Sequence, residues 1–114
     1  SRDAGLRAPL RLDTPGEIAS AHRMRRRLGL AGGQLVANPI PAEAEIPGAE
    51  MAPHIETALA EAAAAGIAAK AVTPFLLARI GERTKGAALA ANIALARNNA
   101  RLGAEIAVAL AALP

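Results

Sequence analysis

Apolar positions along this chain recur mostly at three- and four-residue spacing, interrupted by a few short apolar runs bounded by Gly and Pro. Pro9-Leu10-Arg11-Leu12 reads as a short extended stretch. Thr14-Pro15-Gly16-Glu17 then announces a helix, with Thr14 as cap, Pro15 at the first helical position and Glu17 where a capping-box partner reaches back. That helix runs to Leu28 and stops at Gly29. After the Ala31-Gly32-Gly33 turn, Gln34-Leu35-Val36-Ala37 reads as a buried strand. It ends at Asn38-Pro39-Ile40-Pro41, where two prolines exclude its continuation as an internal strand. Residues 42–48 form a loop bearing Pro and Glu. A second helix is predicted from about Ala52 to Ala65, with Met51, Ile55, Leu59 and Ala62 at helical spacing and Gly66 closing it. Lys70-Ala71-Val72 reads as a third, very short strand. Thr73-Pro74 repeats the cap-then-proline signal and opens a helix through Phe75, Leu76, Leu77 and Ile80 towards Thr84, broken by Gly86. The last helix, from about Leu89 to Leu113, is the longest.

This order is a strand–helix–strand unit followed by helices, and it predicts an α/β fold. A crossover helix joins parallel strands, which need cover on both faces. Two or three short strands cannot build such a sheet alone, so the unit is expected to be an incomplete part of a larger sheet flanked by helices. Composition points the same way. Hydrophobic residues make up 53% of the 114, but much of that is Ala, and Phe75 is the only aromatic. Large side chains supply most of the burial free energy of a core, so this set suits a segment that completes a larger core.

No cysteine is present, which excludes disulfides and thiolate metal sites and is compatible with the cytoplasm. No apolar run reaches the roughly 18 to 20 residues that span a bilayer, so no membrane role is expected. Ser1-Arg2-Asp3 is not the start of a signal peptide. The absence of an initiator Met suggests processing, or a start partway through a gene product. The net charge of +3 comes from 13 Lys and Arg, eleven of them Arg, against 10 Asp and Glu. Mild basicity alone does not make a nucleic-acid binder. An RNA-binding protein is therefore the most distant reading.

The final helix carries the candidate chemistry. On a helical wheel Asn92, Leu95, Asn99, Leu102, Gly103, Ile106 and Leu110 share one face, with Arg97, Arg101 and Glu105 opposite, where Arg101 and Glu105 can pair. Amides within an apolar stripe need partners for both donor and acceptor. Either they bond neighbouring backbone or buried water, or one faces a pocket and reads a polar ligand such as a nucleobase, whose imide edge matches an amide. Gly103 suits close helix packing. Arg23, Arg25, Arg26 and Arg27 form a dense basic patch, read first as a solvated face or as salt bridges to another segment. His22 and His54 stand alone, without metal-ligand spacing. Lys70 precedes a helix start and could meet an anion there, but reads first as a surface lysine. No Ser-His-Asp set, Gly-rich phosphate loop or acid–base carboxylate pair can be assembled, so no catalytic residue is assigned.

Three segments, GLAGGQLVANPIP at 29–41, VTPFLLARI at 72–80 and ANIALARNNARLGAEIAV at 91–108, resemble the pseudouridine-5′-phosphate glycosidase family, also called indigoidine synthase A-like. Their order and separation fit, RLDTPGEIA at 11–19 agrees, and the resemblance covers nearly the whole chain. It implies that residues 1–114 are the C-terminal part of a single domain with a mixed central sheet, usually in a homotrimer. The implied enzyme, a hydrolase or lyase in type, reversibly cleaves the C–C glycosidic bond of pseudouridine 5′-phosphate to uracil and ribose 5-phosphate. The resemblance also implies a lysine Schiff base, a Glu acid/base and a divalent metal, typically manganese. Those groups belong to the family's N-terminal part and have no matching segments here, so this chain alone is expected to be inactive. Lys70 and Lys85 lack the context of the family's lysine nucleophile. Asn92 corresponds to the family's uracil-contacting asparagine, and Asn38 and Thr73 are weaker candidates for shaping the pocket. The basic run at 23–27 and Lys85-Gly86-Ala87-Ala88 depart from the family's usual pattern. The competing reading is a non-catalytic helical interaction module derived from the same family.

Overall fold

The computed structural model describes residues 7–114. Four α-helices make up its regular structure: α1 (Pro15–Arg27), α2 (Gly48–Ala64), α3 (Val72–Arg83) and α4 (Ala87–Ala112). Short 3₁₀ turns at Ala42–Ala44 and Ala69–Ala71 precede α2 and α3. The expected α/β architecture is not found, for the described residues contain no strand and no sheet. Residues 34–37, expected as a buried strand, have no regular structure, and Leu35 is 95% exposed. The stretch expected as the third strand is split between a 3₁₀ turn and the start of α3. A strand exists only as part of a hydrogen-bonded ladder, and neither apolar run finds a second strand to pair with. Local β-propensity cannot substitute for that partner.

The helix ends show how sequence sets local structure. Thr14 and Glu17 form the expected capping box. The Thr14 hydroxyl accepts from the Glu17 N–H at 3.2 Å, and the Glu17 carboxylate accepts from the N–H groups of Thr14 at 2.9 Å and Asp13 at 2.8 Å. Those two backbone donors, with the Thr14 hydroxyl, hold the Glu17 carboxyl below its ordinary value. α2 begins earlier than expected, at Gly48, and so carries Pro53 in its interior. α3 begins at Val72, so Thr73 lies inside its first turn and does not cap it. Pro74 is accommodated there because first-turn N–H groups have no intrahelical acceptor.

α1, α2 and α3 all close with the same paired bonds, the Schellman arrangement in which one residue takes a left-handed conformation. In α1 Gly29 (φ 68°) donates to the Arg26 carbonyl and Leu30 to that of Arg25, both at 3.0 Å. In α2 Gly66 (φ 65°) donates to Ala63 at 3.1 Å and Ile67 to Ala62 at 2.9 Å. In α3 the left-handed position falls on Lys85 (φ 50°), one residue before the glycine expected to end the helix. Lys85 donates to Glu82 at 3.1 Å and Gly86 to Gly81 at 2.9 Å. The Thr84 hydroxyl donates to the Ile80 carbonyl at 2.8 Å and accepts the Ala88 N–H at 3.1 Å, linking the end of α3 to the start of α4.

The chain divides into two compact units. One contains Ile40–Leu95, where α2 packs on α3 and buries Ala58 and Ala62. Arg79 joins the pair by bonding Glu61 of α2 at 2.7 Å and Glu82 at 2.8 Å, while Arg83 reaches Glu61 at 3.4 Å. Glu61 first, then Glu82, raises the Arg79 pKa further. Of the apolar positions at helical spacing on α2, Ala62 is buried, whereas Ile55 and Leu59 are 38% and 46% exposed. The other unit contains residues 7–39 and Ala96–Pro114, where α1 buries Ile18 and Ala19.

Acidification tests the capping box. A carboxyl held below its ordinary value stabilises the helix above its unfolded pKa, and that contribution disappears as pH falls through the folded value. The Asp13 and Thr14 amide resonances will therefore shift together in that acidic range, and Glu17→Gln will remove the transition. The Schellman turns give opposite signs. Lys85→Gly relieves a left-handed side chain and will raise stability to urea by about 0.5–1 kcal/mol. Gly66→Ala introduces the same strain and will lower it by about 1 kcal/mol, although nothing lies within 4 Å of the added Cβ.

Candidate functional site

Helix α4 carries the asparagines on which the functional reading depends. Its packed side runs through Ala91, Leu95, Asn98, Leu102, Ile106 and Leu110, all partly buried. The expected stripe contained Leu95, Leu102, Ile106 and Leu110 but set its edge at Asn92, Asn99 and Gly103, which are exposed. The packed side is thus rotated towards Asn98. Asn98 and Asn99 are adjacent, and helical spacing alone does not distinguish which of the two joins the packed side.

The amides then separate by role. The Asn98 side chain donates to the Pro39 carbonyl at 3.2 Å and accepts from Arg101 at 2.9 Å. Arg101 is thereby engaged with Asn98, and no ion pair to Glu105 forms. The Asn99 side-chain carbonyl accepts from the Asn38 amide at 3.0 Å. Asn38, Asn98 and Asn99 therefore fasten the 38–39 segment to α4 within the second unit, which is the backbone-and-neighbour account of such amides. Asn92 differs. It lies in the second turn of α4, exposed, with no side-chain hydrogen bond among the described residues. Its donor and acceptor are both open to a ligand. Thr73 is also exposed, in the first turn of α3.

The basic run on α1 resolves residue by residue. Arg23 crowns the end of α4, donating to the Leu110 carbonyl at 3.2 Å, to that of Leu113 at 3.0 Å and to the Pro114 carbonyl. This is a cation on the unsatisfied carbonyls of a helix C-terminus. Arg25 reaches back to the Ala31 and Gly33 carbonyls, each at 3.4 Å. Arg26 and Arg27 are exposed. Lys70 sits in an exposed 3₁₀ turn. His54 is partly buried on α2, and Glu61 of that helix is engaged with Arg79 and Arg83. Among the described residues no group of three or more His, Cys, Asp or Glu could hold a metal ion, and no helix is long and apolar enough to cross a membrane.

Asn92, Asn98 and Asn99 lie in the segment 91–108, one of the three that resemble the glycosidases. The sequence pattern of the indigoidine synthase A like protein family matches residues 1–109, and the chain belongs to that family. It is 68% identical over 111 residues to a pseudouridine-5′-phosphate glycosidase of Paracoccus denitrificans (strain Pd 1222), covering 97% of this chain and 36% of that relative. Identity is 66% over 110 residues to one from Jannaschia sp. (strain CCS1), with 96% and 36% covered. It is 60% over 110 residues to one from Methylobacterium nodulans, with 96% and 33% covered. The chain thus spans about a third of the length of the curated relatives it matches.

Stability measurements separate the two kinds of amide. Asn98→Ala strands the Pro39 carbonyl and Arg101 and will cost about 1 kcal/mol in urea denaturation. Asn92→Ala, which breaks no side-chain bond among the described residues, will stay within about 0.5 kcal/mol of the parent.

Proposed function

We propose that this chain is the C-terminal segment of a pseudouridine-5′-phosphate glycosidase, and that Asn92 contacts the uracil ring. The observation that carries the reading is 68% identity, over 97% of the chain, to a protein of that name. In this reading the whole enzyme reversibly breaks the C–C bond between uracil and the ribose 5-phosphate carbon. The groups that perform the chemistry, a Schiff-base lysine, a Glu acid/base and a divalent metal such as manganese, lie outside these 114 residues. The residues present do not fit a metal, since no cluster of donors converges among those described. No step through a metal is therefore assigned to them. A homotrimer in the cytoplasm completes the reading.

What this chain contributes is recognition and support. A planar amide presents an N–H donor beside a carbonyl acceptor, and the imide edge of uracil presents the complementary pair. Asn92 is exposed and unengaged among the described residues, so it can meet that edge without first breaking an internal bond. Asn98 and Asn99, already bonded to Pro39 and Asn38, keep α4 in place beside the 38–39 segment. The exposed Leu35, Leu77, Leu89 and Val108 agree with a segment whose remaining apolar surface is covered by further polypeptide.

The test uses the whole natural polypeptide carrying these residues, with uracil release from pseudouridine 5′-phosphate as readout. Asn92→Ala will lower kcat/KM by roughly 10- to 100-fold, the cost of leaving a buried ligand group unpaired, while Arg97→Ala will change it little. Equal effects of the two substitutions would remove Asn92 from the site. Absence of uracil release from the unmodified protein would refute the glycosidase reading itself.

A further inference from the structure

The C-terminal half of α1 and the end of α4 enclose an open cleft of about 580 Å³, lined by His22, Arg23, Arg26, Arg27, Leu110 and Pro114. All six belong to the second unit, and the volume lies in the range of small-molecule sites, roughly 300–1,000 Å³. Positions 22, 23, 26 and 27 are related by three- and four-residue spacing, so they share one face of the helix. Arg25, the one basic residue of the run that does not line the cleft, is turned to the Ala31 and Gly33 carbonyls.

Charge decides what the cleft can hold. Arg23 is held by the three backbone oxygens at the end of α4. Arg26 and Arg27 make no ion pair among the described residues, whose salt bridges involve Arg11, Arg79 and Arg83. The C-terminus of α1 opposes them with roughly half a negative charge. The end of α4 opposes them by a similar amount, and the three guanidiniums of Arg23, Arg26 and Arg27 outweigh the two helix ends, leaving a net charge of roughly +2. Like charges four residues apart on a helix repel, so Arg23 and Arg27 gain from an anion set against them.

We infer that this cleft is a binding site for phosphate, free or as a phosphomonoester. Arg26 and Arg27 supply forked donors that match the phosphoryl oxygens. His22 adds a ring N–H donor, and Arg23, fixed by its carbonyl partners, keeps the floor positive.

Calorimetric titration of the whole natural polypeptide tests it, with inorganic phosphate and glycerol 3-phosphate as probes. Saturable binding is expected. The Arg26→Gln/Arg27→Gln double variant will weaken it at least about tenfold, and Arg97→Gln, which removes a charge elsewhere, will leave it unchanged. Preference for glycerol 3-phosphate marks a monoester site, and equal or weaker binding of it marks free phosphate. Circular dichroism verifies that the variants are folded, and either single substitution provides the same comparison if the double variant is not. Affinity unaffected by losing both arginines overturns the inference, as does displacement by chloride as effective as that by sulfate at equal ionic strength. So does the absence of saturable binding, the result expected if carboxylates of the remaining polypeptide occupy the arginines. Because the readout requires no turnover, a protein that releases no uracil but still holds phosphate fails the glycosidase reading and keeps this one.

Discussion

Every α-helix exposes backbone donors at its start and acceptors at its end, and these must find partners if the helix is to persist. In this chain that requirement organises more of the structure than core packing does. Glu17 folds back on the amides that precede α1, left-handed residues close α1, α2 and α3, and Thr84 spans the junction between α3 and α4. Arg23 joins two distant parts of the sequence by the same logic, because the carbonyls at the end of α4 need a donor and a guanidinium offers several at once. By contrast, the buried apolar residues among those described are Ile18, Ala19, Ile40, Ala58 and Ala62, only two of them large.

Leu10, Leu28, Leu35, Leu77, Leu89 and Val108 each keep more than half of their surface in contact with solvent. The side-chain oxygen of Gln34 is buried without a partner among the described residues, a cost of about 1–3 kcal/mol if it stays so. Among the described residues these are the two sides of one deficit, apolar surface without cover and a polar atom without a donor.

Helix ends were legible in the sequence because they depend on a few neighbouring residues. Thr14, Pro15 and Glu17 specify the start of α1 whatever lies around them, and Gly29 and Gly66 mark two of the ends. The turn at Lys85 was not legible, since a lysine rarely takes a left-handed conformation and the glycine beside it drew the boundary one residue late. The two short apolar runs misled for a different reason. Residues 34–37 and 70–72 have the composition of strands, but a strand is defined by its neighbour, and sequence pattern cannot show whether one is present. The same limit applies to the site. Helical periodicity placed amides on α4 but not their partners: Asn98 and the exposed Asn99 both bond the 38–39 segment, whereas Asn92 has no side-chain bond among the described residues.

The pairing of α2 with α3 has one further consequence. Where the two helices meet, α2 offers Ala58, with no accessible surface, and Ala62, with 3%. The buried positions of α2 thus carry only methyl groups, and Arg79 reaches Glu61 of α2 at 2.7 Å. Sequence change along α2 should accordingly be tolerated unevenly. Positions 55 and 59 can exchange size and polarity with little penalty to the hairpin itself, whereas a single added methylene at 58 would wedge the helices apart and pull the guanidinium away from Glu61.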